Sequence, residues 1–467
     1  MDKNVKALKS GIWYVLSNLI VRGMTLITTP IFSRLLTHEQ YGDYSNFLSW
    51  ANIAVIIVSM RIESSLISAK FDYGDNLAKY NRSILMLTVL MVASWAIIVN
   101  IMPMKFNDLI GLSKMYTNLM LIYCLFQAVI NIFQINERYA YKYKQSVSIA
   151  ILVAISTTVT SILLVVELED KLEGRVLGGV LPVAVIGIVL FVYFFRESWQ
   201  IDTSVWKYVL KLCIPYVPHL LSLQVLNSID RIMITNICGP ADNALYTIAY
   251  TCGHMVTLLM TSMNSAFAPW LGDKLNDGGT EEIRKVTRYY ILIFAIVAMA
   301  MMLFSPEILF IMGGESYLEA KYVMPPVAMG CVCQFLYSLY VNIEQFRKKT
   351  TGMAIVSVLA ALFNCGLNAY YIPRYGYIAA AYTTLASYIF LLFAHMLLVK
   401  RIEKKAIDNR FVITVMVCMC FVMMLINFLY KNQIFRYTMI FTVLLAIGVV
   451  VYIKRDMTKD LLKKIIK

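Results

Sequence analysis

Five ionisable side chains interrupt long apolar stretches of the sequence, where charged groups are rare. They are Arg22, Arg61, Glu63, Asp230 and Arg231. A charge buried in a membrane is costly and usually functional. The planar guanidinium of arginine stays protonated and donates several hydrogen bonds at once, which suits phosphate oxygens. The three arginines therefore predict a polar cavity that binds an anionic, phosphate-bearing ligand.

Three further observations extend this site and leave alternatives open. Arg34, at the outer end of the first apolar stretch, joins the predicted phosphate-binding set. Glu63, Asp230 and His254 are candidates for ion coupling or for ion pairing. Adjacent helical side chains diverge by about 100°, so Asp230 and Arg231 need separate partners. A structural clamp competes with the cavity role for both, and hydrogen-bonded packing competes with proton relay for His254.

Other interpretations of the charged residues also stay open. Arg22 could instead snorkel to the membrane surface or lock two helices together. Glu137 and Glu344 end apolar stretches beside basic clusters, and we expect them to be solvated.

The composition shows what surrounds these charges. The chain has 467 residues, of which 60% are hydrophobic and 15% charged, with a mean hydropathy of +0.68. A soluble domain is about half apolar and a quarter charged, so a lipid solvent is indicated. The net charge of +14 fits a basic cytoplasmic face beside anionic lipid, and it predicts no nucleic-acid partner. The nine cysteines show no metal-ligand spacing, and we expect them to be reduced.

Apolar stretches long enough to cross a bilayer, about 20 residues each, predict an all-α polytopic membrane protein of about fourteen spans. The stretches cover 10–34, 43–69, 82–104, 115–136, 145–166, 176–195, 208–237, 243–271, 287–313, 321–343, 352–372, 376–399, 411–430 and 434–453. The first follows three lysines but lacks a cleavage pattern, and it is expected to be retained.

The basic residues predict the orientation. With the N-terminus in the cytoplasm, 31 Lys and Arg fall at inner ends and loops and 9 at outer ones, and Arg22 and Arg231 lie within spans. This bias satisfies the positive-inside rule and places both termini in the cytoplasm.

An internal repeat with an offset of about 202 residues divides the chain. Gly42-Asp43-Tyr44 opens the second span, and Ala244-Leu245-Tyr246 opens the eighth. Six spans per repeat give both halves the same orientation, which predicts two lobes related by a parallel pseudo-twofold axis. We expect lobes at 1–200 and 201–405, followed at 406–467 by two extra helices and a basic tail.

Three segments carry a family resemblance. They are FSRLLTHEQYGDY at Phe32–Tyr44, SIDRIMITNICGPADNALY at Ser228–Tyr246 and IPRYGYIAAAYTTLASY at Ile372–Tyr388. The chain resembles the Wzx-type polysaccharide-biosynthesis flippases of the multidrug/oligosaccharidyl-lipid/polysaccharide (MOP) superfamily. One departure is Ala379, where the family more often has glycine, and alanine is also small enough for close helix contact.

The resemblance implies a function. Two six-helix lobes would alternate between inward and outward openings in the bacterial inner membrane. The substrate would be an undecaprenyl-pyrophosphate-linked oligosaccharide, moved to the outer leaflet for O-antigen, capsule or exopolysaccharide. Membrane lipid and the polymerase and chain-length proteins of the pathway are expected partners.

Other functions of the same superfamily remain alternatives. They are a MATE-like drug or cation antiporter and a lipid II flippase. The sequence contains no Walker motif, catalytic triad or dinucleotide-binding motif, so we expect a non-enzyme without a bound cofactor. Coupling to H⁺ or Na⁺ is left open.

Overall fold

The computed structural model describes residues 20–21, 23–139, 142–347, 349, 351–403, 406–438 and 440–441, and all regular structure within them is helical. The helices are α1 (residues 23–35), α2 (His38–Ser59), α3 (Leu66–Asp72), α4 (Leu77–Ile101), α5 (Pro103–Ile110), α6 (Lys114–Tyr139), α7 (Tyr143–Glu167), α8 (Lys171–Phe195), α9 (Ser204–Cys213), α10 (Val217–Cys238), α11 (Pro240–His254), α12 (Thr257–Asn276), α13 (Thr280–Leu303), α14 (Ser305–Gly313), α15 (Met324–Phe346), α16 (Thr351–Tyr375), α17 (Tyr377–Ile402) and α18 (Asn409–Leu429).

Within the described residues, ten helical segments are long and apolar enough to cross a membrane. They are Leu77–Ile101, Lys114–Arg138, Lys144–Glu167, Lys171–Phe195, Ser204–Cys238, Thr280–Leu303, Met324–Phe346, Gly352–Tyr375, Tyr377–Ile402 and Asn409–Leu429. They coincide with predicted spans three to seven and nine to thirteen. The all-α polytopic fold is therefore confirmed.

The remaining four predicted spans are not among these ten segments. The second corresponds to α2 and the eighth to α11 and α12, which are helical but are not among the ten segments that are both long and apolar enough. The first and the fourteenth, 10–34 and 434–453, lie partly outside the described residues. The total of fourteen spans therefore stays a prediction.

The second predicted span is shorter than expected. Met60 and Arg61 have left-handed φ angles of 48° and 49°, which end α2 at Ser59. A short 3-10 turn, Ile62–Ser65, and α3 follow. The expectation of one continuous helix over 43–69 is wrong, because two residues in the left-handed region cannot continue a right-handed helix.

Apolar side chains lie on the outside of the bundle as well as in its core. On α7 and α8, Leu163, Val166, Val185 and Val189 are each at least 60% exposed. Exposed apolar faces of this length would destabilise a soluble protein, so the surrounding solvent is lipid. The chain is a multi-pass membrane protein.

The helices pack as two bundles with an appendage. In the first, α7 packs on α8, and α6 contacts α2, α4 and α8. In the second, α17 packs on α15 and α16, and α10 contacts α16. Helix α18 lies against α13 and α15. The bundles follow the order expected from the internal repeat, while the exact lobe boundaries stay predictions.

The two halves meet where α2 contacts α11 and α10. The Nδ2 atom of Asn243 donates to the Gly42 carbonyl oxygen at 2.9 Å, and the hydroxyl groups of Ser45 and Thr247 are 2.7 Å apart. Ser45 and Thr247 are 202 residues apart, which is the offset of the repeat. Residues near a twofold axis contact their own equivalents, so this pair lies beside the pseudo-twofold axis.

Gly42 allows the close approach of α2 and α11. A methyl group added at Gly42 would lie 1.7 Å from the carbonyl oxygen of Pro240. Backbone atoms cannot yield as a flexible side chain can, so the helices would have to separate.

We predict that Gly42→Ala opens this contact. Overpacking costs about 1–3 kcal/mol, which corresponds to roughly a 5–150-fold rise in the population with the α2–α11 contact open. The measurement is labelling of Ser45→Cys by a membrane-impermeant maleimide in whole cells. Gly179→Ala is the matched control, because its added methyl group would meet only the Tyr44 hydroxyl oxygen at 3.7 Å. Equal labelling rates in the two variants would contradict the packing argument.

Candidate functional site

A cavity of about 260 Å³ lies between the two halves, and its lining includes one arginine from each half. Helices α1, α2 and α8 form one side, and α10 and α11 form the other. Arg175 comes from α8 and Arg231 from α10. The cavity therefore brings two guanidinium groups to the boundary between the two halves.

Arg231 is half-buried and faces this cavity. Its Nη1 atom donates to the Asn227 carbonyl oxygen at 2.9 Å, and its guanidinium lies 4.5 Å from the centre of the Tyr250 ring. One backbone bond and one aromatic face leave several of its five N–H groups available. Arg231 therefore has donors free to face this cavity, and its predicted binding of an oxyanion stays a prediction.

Arg175 is the residue that sequence reasoning missed. Its guanidinium lies 3.8 Å from the centre of the Phe32 ring and 4.2 Å from that of Tyr44, and Nη1 donates to the Ser161 hydroxyl at 2.6 Å. Its Nε is buried without a hydrogen-bond partner. Two aromatic rings hold the cation in place at the wall of the cavity, where its positive charge favours an anionic ligand.

Two adjoining cavities extend the site, and all three share Thr25. One, of about 280 Å³, is lined by Arg231, Tyr250, His254 and Thr257. The other, of about 300 Å³, is lined by Arg175 together with Tyr123, Gln127, Thr157 and Thr158. Among the described residues that line the three cavities, none is Asp or Glu. The lining of the three cavities therefore presents cations and hydroxyl groups.

Asp230 points away from this cavity, as its helical offset from Arg231 predicted. Its carboxylate is buried and accepts hydrogen bonds from Tyr246 Oη at 2.6 Å, Thr384 Oγ1 at 2.6 Å and Asn368 Nδ2 at 2.7 Å. These donors come from α11, α17 and α16. The geometry favours the structural clamp over the cavity role for Asp230.

Arg61 and Glu63 form an ion pair at the break after α2. Arg61 Nε lies 3.2 Å from Glu63 Oε1, which also accepts from Asn131 Nδ2 at 3.3 Å. Glu63 is fully buried, and its Oε2 has no hydrogen-bond partner. Neither residue lines the three cavities, so their substrate and coupling roles stay predictions.

The remaining predicted residues have separate positions. His254 lines the second cavity and stacks on Tyr250 with ring centres 5.1 Å apart. Arg34 is exposed and donates to the carbonyl oxygens of Pro30 and Ile311, away from the three cavities. Arg22 lies outside the described residues. The structure therefore brings together Arg231 and His254 but not Arg34 or Arg61, and all these roles stay predictions.

The expectation that Glu137 and Glu344 are solvated is wrong. Glu137 is 3% exposed and Glu344 fully buried. Both Glu344 oxygens lie 3.0–3.1 Å from Nδ1 of His395, a residue that is 2% exposed. The hydropathy pattern placed Glu344 at a span end but could not show that a neighbouring helix covers it. Within the described part of the chain, no three His, Cys, Asp or Glu side chains form a metal site.

We predict that Asp230→Ala lowers stability rather than ligand affinity. It would leave three donors unpaired, at about 1–3 kcal/mol for each buried group. The measurement is the thermal unfolding midpoint of the purified chain in lipid nanodiscs. Asp277→Ala, at an exposed residue just after α12, is the control and should change stability by less than about 0.5 kcal/mol. Equal unfolding midpoints for the two variants would contradict the structural role of Asp230.

Comparisons with known proteins agree with this architecture. The family model described as "Polysaccharide biosynthesis protein" matches residues 7–274, and the MatE model matches residues 215–370. A protein of Haemophilus influenzae named after the Lsg locus is 23% identical over 379 residues, which cover 77% of this chain and 89% of that protein.

Two solved structures are similar in fold. The lipid II flippase MurJ in its inward closed conformation has a TM-score of 0.71 at 13% identity and covers 96% of this chain and 99% of its own. An inward-facing multidrug resistance MATE family transporter has a TM-score of 0.56 at 14% identity and covers 84% and 96%. The first family model spans more than half of the chain. The chain therefore belongs to the polysaccharide biosynthesis protein family and has the fold of MOP superfamily transporters, as its three motifs predicted.

Proposed function

We propose that the chain is a flippase that moves an undecaprenyl-pyrophosphate-linked oligosaccharide repeat unit from the cytoplasmic to the outer leaflet. The product would supply O-antigen, capsule or exopolysaccharide assembly. One observation carries the proposal: Arg175 and Arg231, from opposite halves, line a single cavity whose described lining contains no carboxylate. Family membership supports the glycan pathway.

The charge of the cavity matches the difficult part of such a substrate. A diphosphate in the membrane interior costs several kcal/mol per charge unless cations and hydrogen-bond donors replace water. Two guanidinium groups provide both, and their planar forks match phosphate oxygens. Arg22, which lies outside the described residues, remains a proposed third cation because its charge interrupts the first apolar stretch.

The rest of the lining suits a sugar. Thr25, Thr28, Thr251, Tyr44 and Asn52 line the same cavity as the two arginines. Hydroxyl and amide groups both donate and accept hydrogen bonds, so they can pair with many sugar hydroxyls without selecting one sequence. The prenyl chain would stay in the surrounding lipid, where its burial costs nothing.

The contact of α2 with α11 closes one end of the cavity in the proposed transport cycle. In the predicted orientation this contact lies at the outer face of the inner membrane, with both termini in the cytoplasm. Alternating access would require it to separate while the cytoplasmic side closes. Polymerase and chain-length proteins of the pathway are the proposed partners on the outer side.

A lipid II flippase is the second candidate, favoured by the likeness of the fold to MurJ. Lipid II also carries a diphosphate on a polyprenyl chain, so the cationic cavity fits both. A cation antiporter fits poorly, because a cation needs carboxylates, and the described residues around the three cavities include none.

We predict that Arg175→Ala and Arg231→Ala each reduce surface polysaccharide strongly. A charge-assisted hydrogen-bond set is worth about 1.5–3 kcal/mol, which is roughly a 10–150-fold loss in binding. Arg231→Lys should retain part of the activity, because the charge remains but the fork is lost. The assay is complementation of a strain deleted for this gene, with surface glycan and membrane protein both measured by immunoblot.

Arg196→Ala is the matched control for these variants. Arg196 follows α8 and is exposed; it pairs with its neighbour Glu197 and lies over the ring of Tyr193, away from the three cavities. Normal surface glycan in Arg175→Ala and Arg231→Ala, at wild-type protein levels, would contradict the cationic-cavity proposal.

We predict that the chain does not replace a lipid II flippase. Expressed in cells depleted of their own lipid II flippase, it should leave growth arrested, while it restores surface glycan in its own deletion strain. Restored growth together with no effect on surface glycan would favour the second candidate.

A further inference from the structure

The pair Glu344–His395 joins α15 to α17 inside the second half, away from the cavities. Glu344 lies in the last turn of α15, and His395 lies two turns before the end of α17. Nδ1 of His395 is 3.0 and 3.1 Å from the two carboxyl oxygens. Both side chains are buried, so water cannot stabilise a change in their charge.

The number of protons on the pair decides its energy. As imidazolium with carboxylate, or imidazole with carboxylic acid, the pair has no net charge. Loss of one proton leaves a negative ion buried between α15 and α17, and gain of one proton leaves a positive ion there. An uncompensated buried ion is strongly unfavourable, so either change favours opening of the contact between α15 and α17 to water. Proton binding and the packing of α15 on α17 are therefore linked.

Other charged and titratable groups near the pair are already engaged. Arg347, after α15, pairs with Glu403, after α17, at 2.8 Å. Arg288 of α13 pairs with Asp408, the N-cap of α18. The hydroxyl of Tyr340 donates to Asn409 at 2.8 Å. From α12, Asn264 accepts from Asn342 at 2.7 Å and is not titratable.

A chain of ring contacts and hydrogen bonds connects the pair Glu344–His395 to the cavity arginine Arg231. The Tyr337 ring stacks on His395 with centres 5.6 Å apart and lies 6.5 Å from the ring of Tyr388. The Tyr388 hydroxyl donates to Asn227 Oδ1 at 3.2 Å, and the Asn227 carbonyl oxygen accepts from Arg231. A shift of α17 against α15 would therefore reach the cavity through packed groups.

We propose that Glu344 and His395 form a proton-binding site whose occupancy is coupled to movement of the cavity arginine Arg231. The coupling rests on the proposed flippase function, whereas the binding of the proton does not. The ligand is a proton, and the site lies outside the three cavities.

Infrared difference spectroscopy tests proton binding directly. The full-length chain in lipid nanodiscs is stepped between pH 5 and pH 9, with no glycan lipid present. We expect a carboxyl band that is lost in Glu344→Gln, where the amide keeps a hydrogen bond to His395. Glu403→Gln, which changes the exposed pair between the same helices, is the control and should keep the band. An unchanged band in Glu344→Gln would overturn the proposal.

Transport under a pH gradient tests the coupling. Proteoliposomes receive undecaprenyl-diphosphate oligosaccharide extracted from the host strain, and its movement between leaflets is measured with and without a gradient. We expect the gradient to change the wild-type and Glu403→Gln rates severalfold and to leave Glu344→Gln/His395→Gln unaffected. An equal response in the double variant would overturn the coupling. No movement by wild-type protein under any gradient would contradict the flippase function, while the infrared result would still decide the proton site.

Should Glu344→Gln not fold, His395→Gln provides the same spectroscopic test. It removes the imidazole partner, so the pH range of the Glu344 band should move. The elution profile and unfolding midpoint in nanodiscs identify folded variants before either measurement. An unmoved band in folded His395→Gln would overturn the pairing.

Discussion

A charge inside the membrane must have either a partner or a wet cavity, and this constraint organises the described part of the chain. Asp230 and Glu344 have partners within the second half, and Glu63 has partners within the first. Arg175 and Arg231 instead reach the cavity between the halves with donors left over. Desolvation is unfavourable enough that cations without a carboxylate partner are expected to have an anionic ligand. The arrangement therefore separates the carboxylates, which have protein partners, from the two arginines for which we propose a ligand.

The contact between α2 and α11 determines where that cavity can form. Gly42 lets the backbones touch at Pro240, and Ser45 meets its repeat equivalent Thr247. Close packing on the pseudo-twofold axis at one end leaves room for a cavity farther along the same seam. The arginines on α8 and α10 line this cavity, one from each half.

The sequence predicted the helical spans well, because hydropathy and the positive-inside bias are local properties. Helical periodicity also predicted that Asp230 and Arg231 point in different directions, and the structure shows Asp230 bonded within its own half while Arg231 lines the cavity. It could not identify Arg175, which begins a span and was therefore counted with the outer charges. The rings of Phe32 and Tyr44 that hold it come from distant helices. The pairing of Glu344 with His395 and the break at Met60 and Arg61 likewise depend on tertiary contacts that no local pattern contains.

The distribution of strong and weak contacts bears on how the halves could move. Each buried carboxylate accepts hydrogen bonds from its own half: Asp230 from α11, α16 and α17, and Glu344 from α17. The α2–α11 contact between halves instead consists of neutral hydrogen bonds, such as Ser45 with Thr247 and Asn243 with Gly42. A neutral hydrogen bond contributes about 1 kcal/mol, whereas breaking a buried charged pair costs about 3–5 kcal/mol. In the proposed transport cycle, separation along this contact is therefore expected to cost less than distortion of either half.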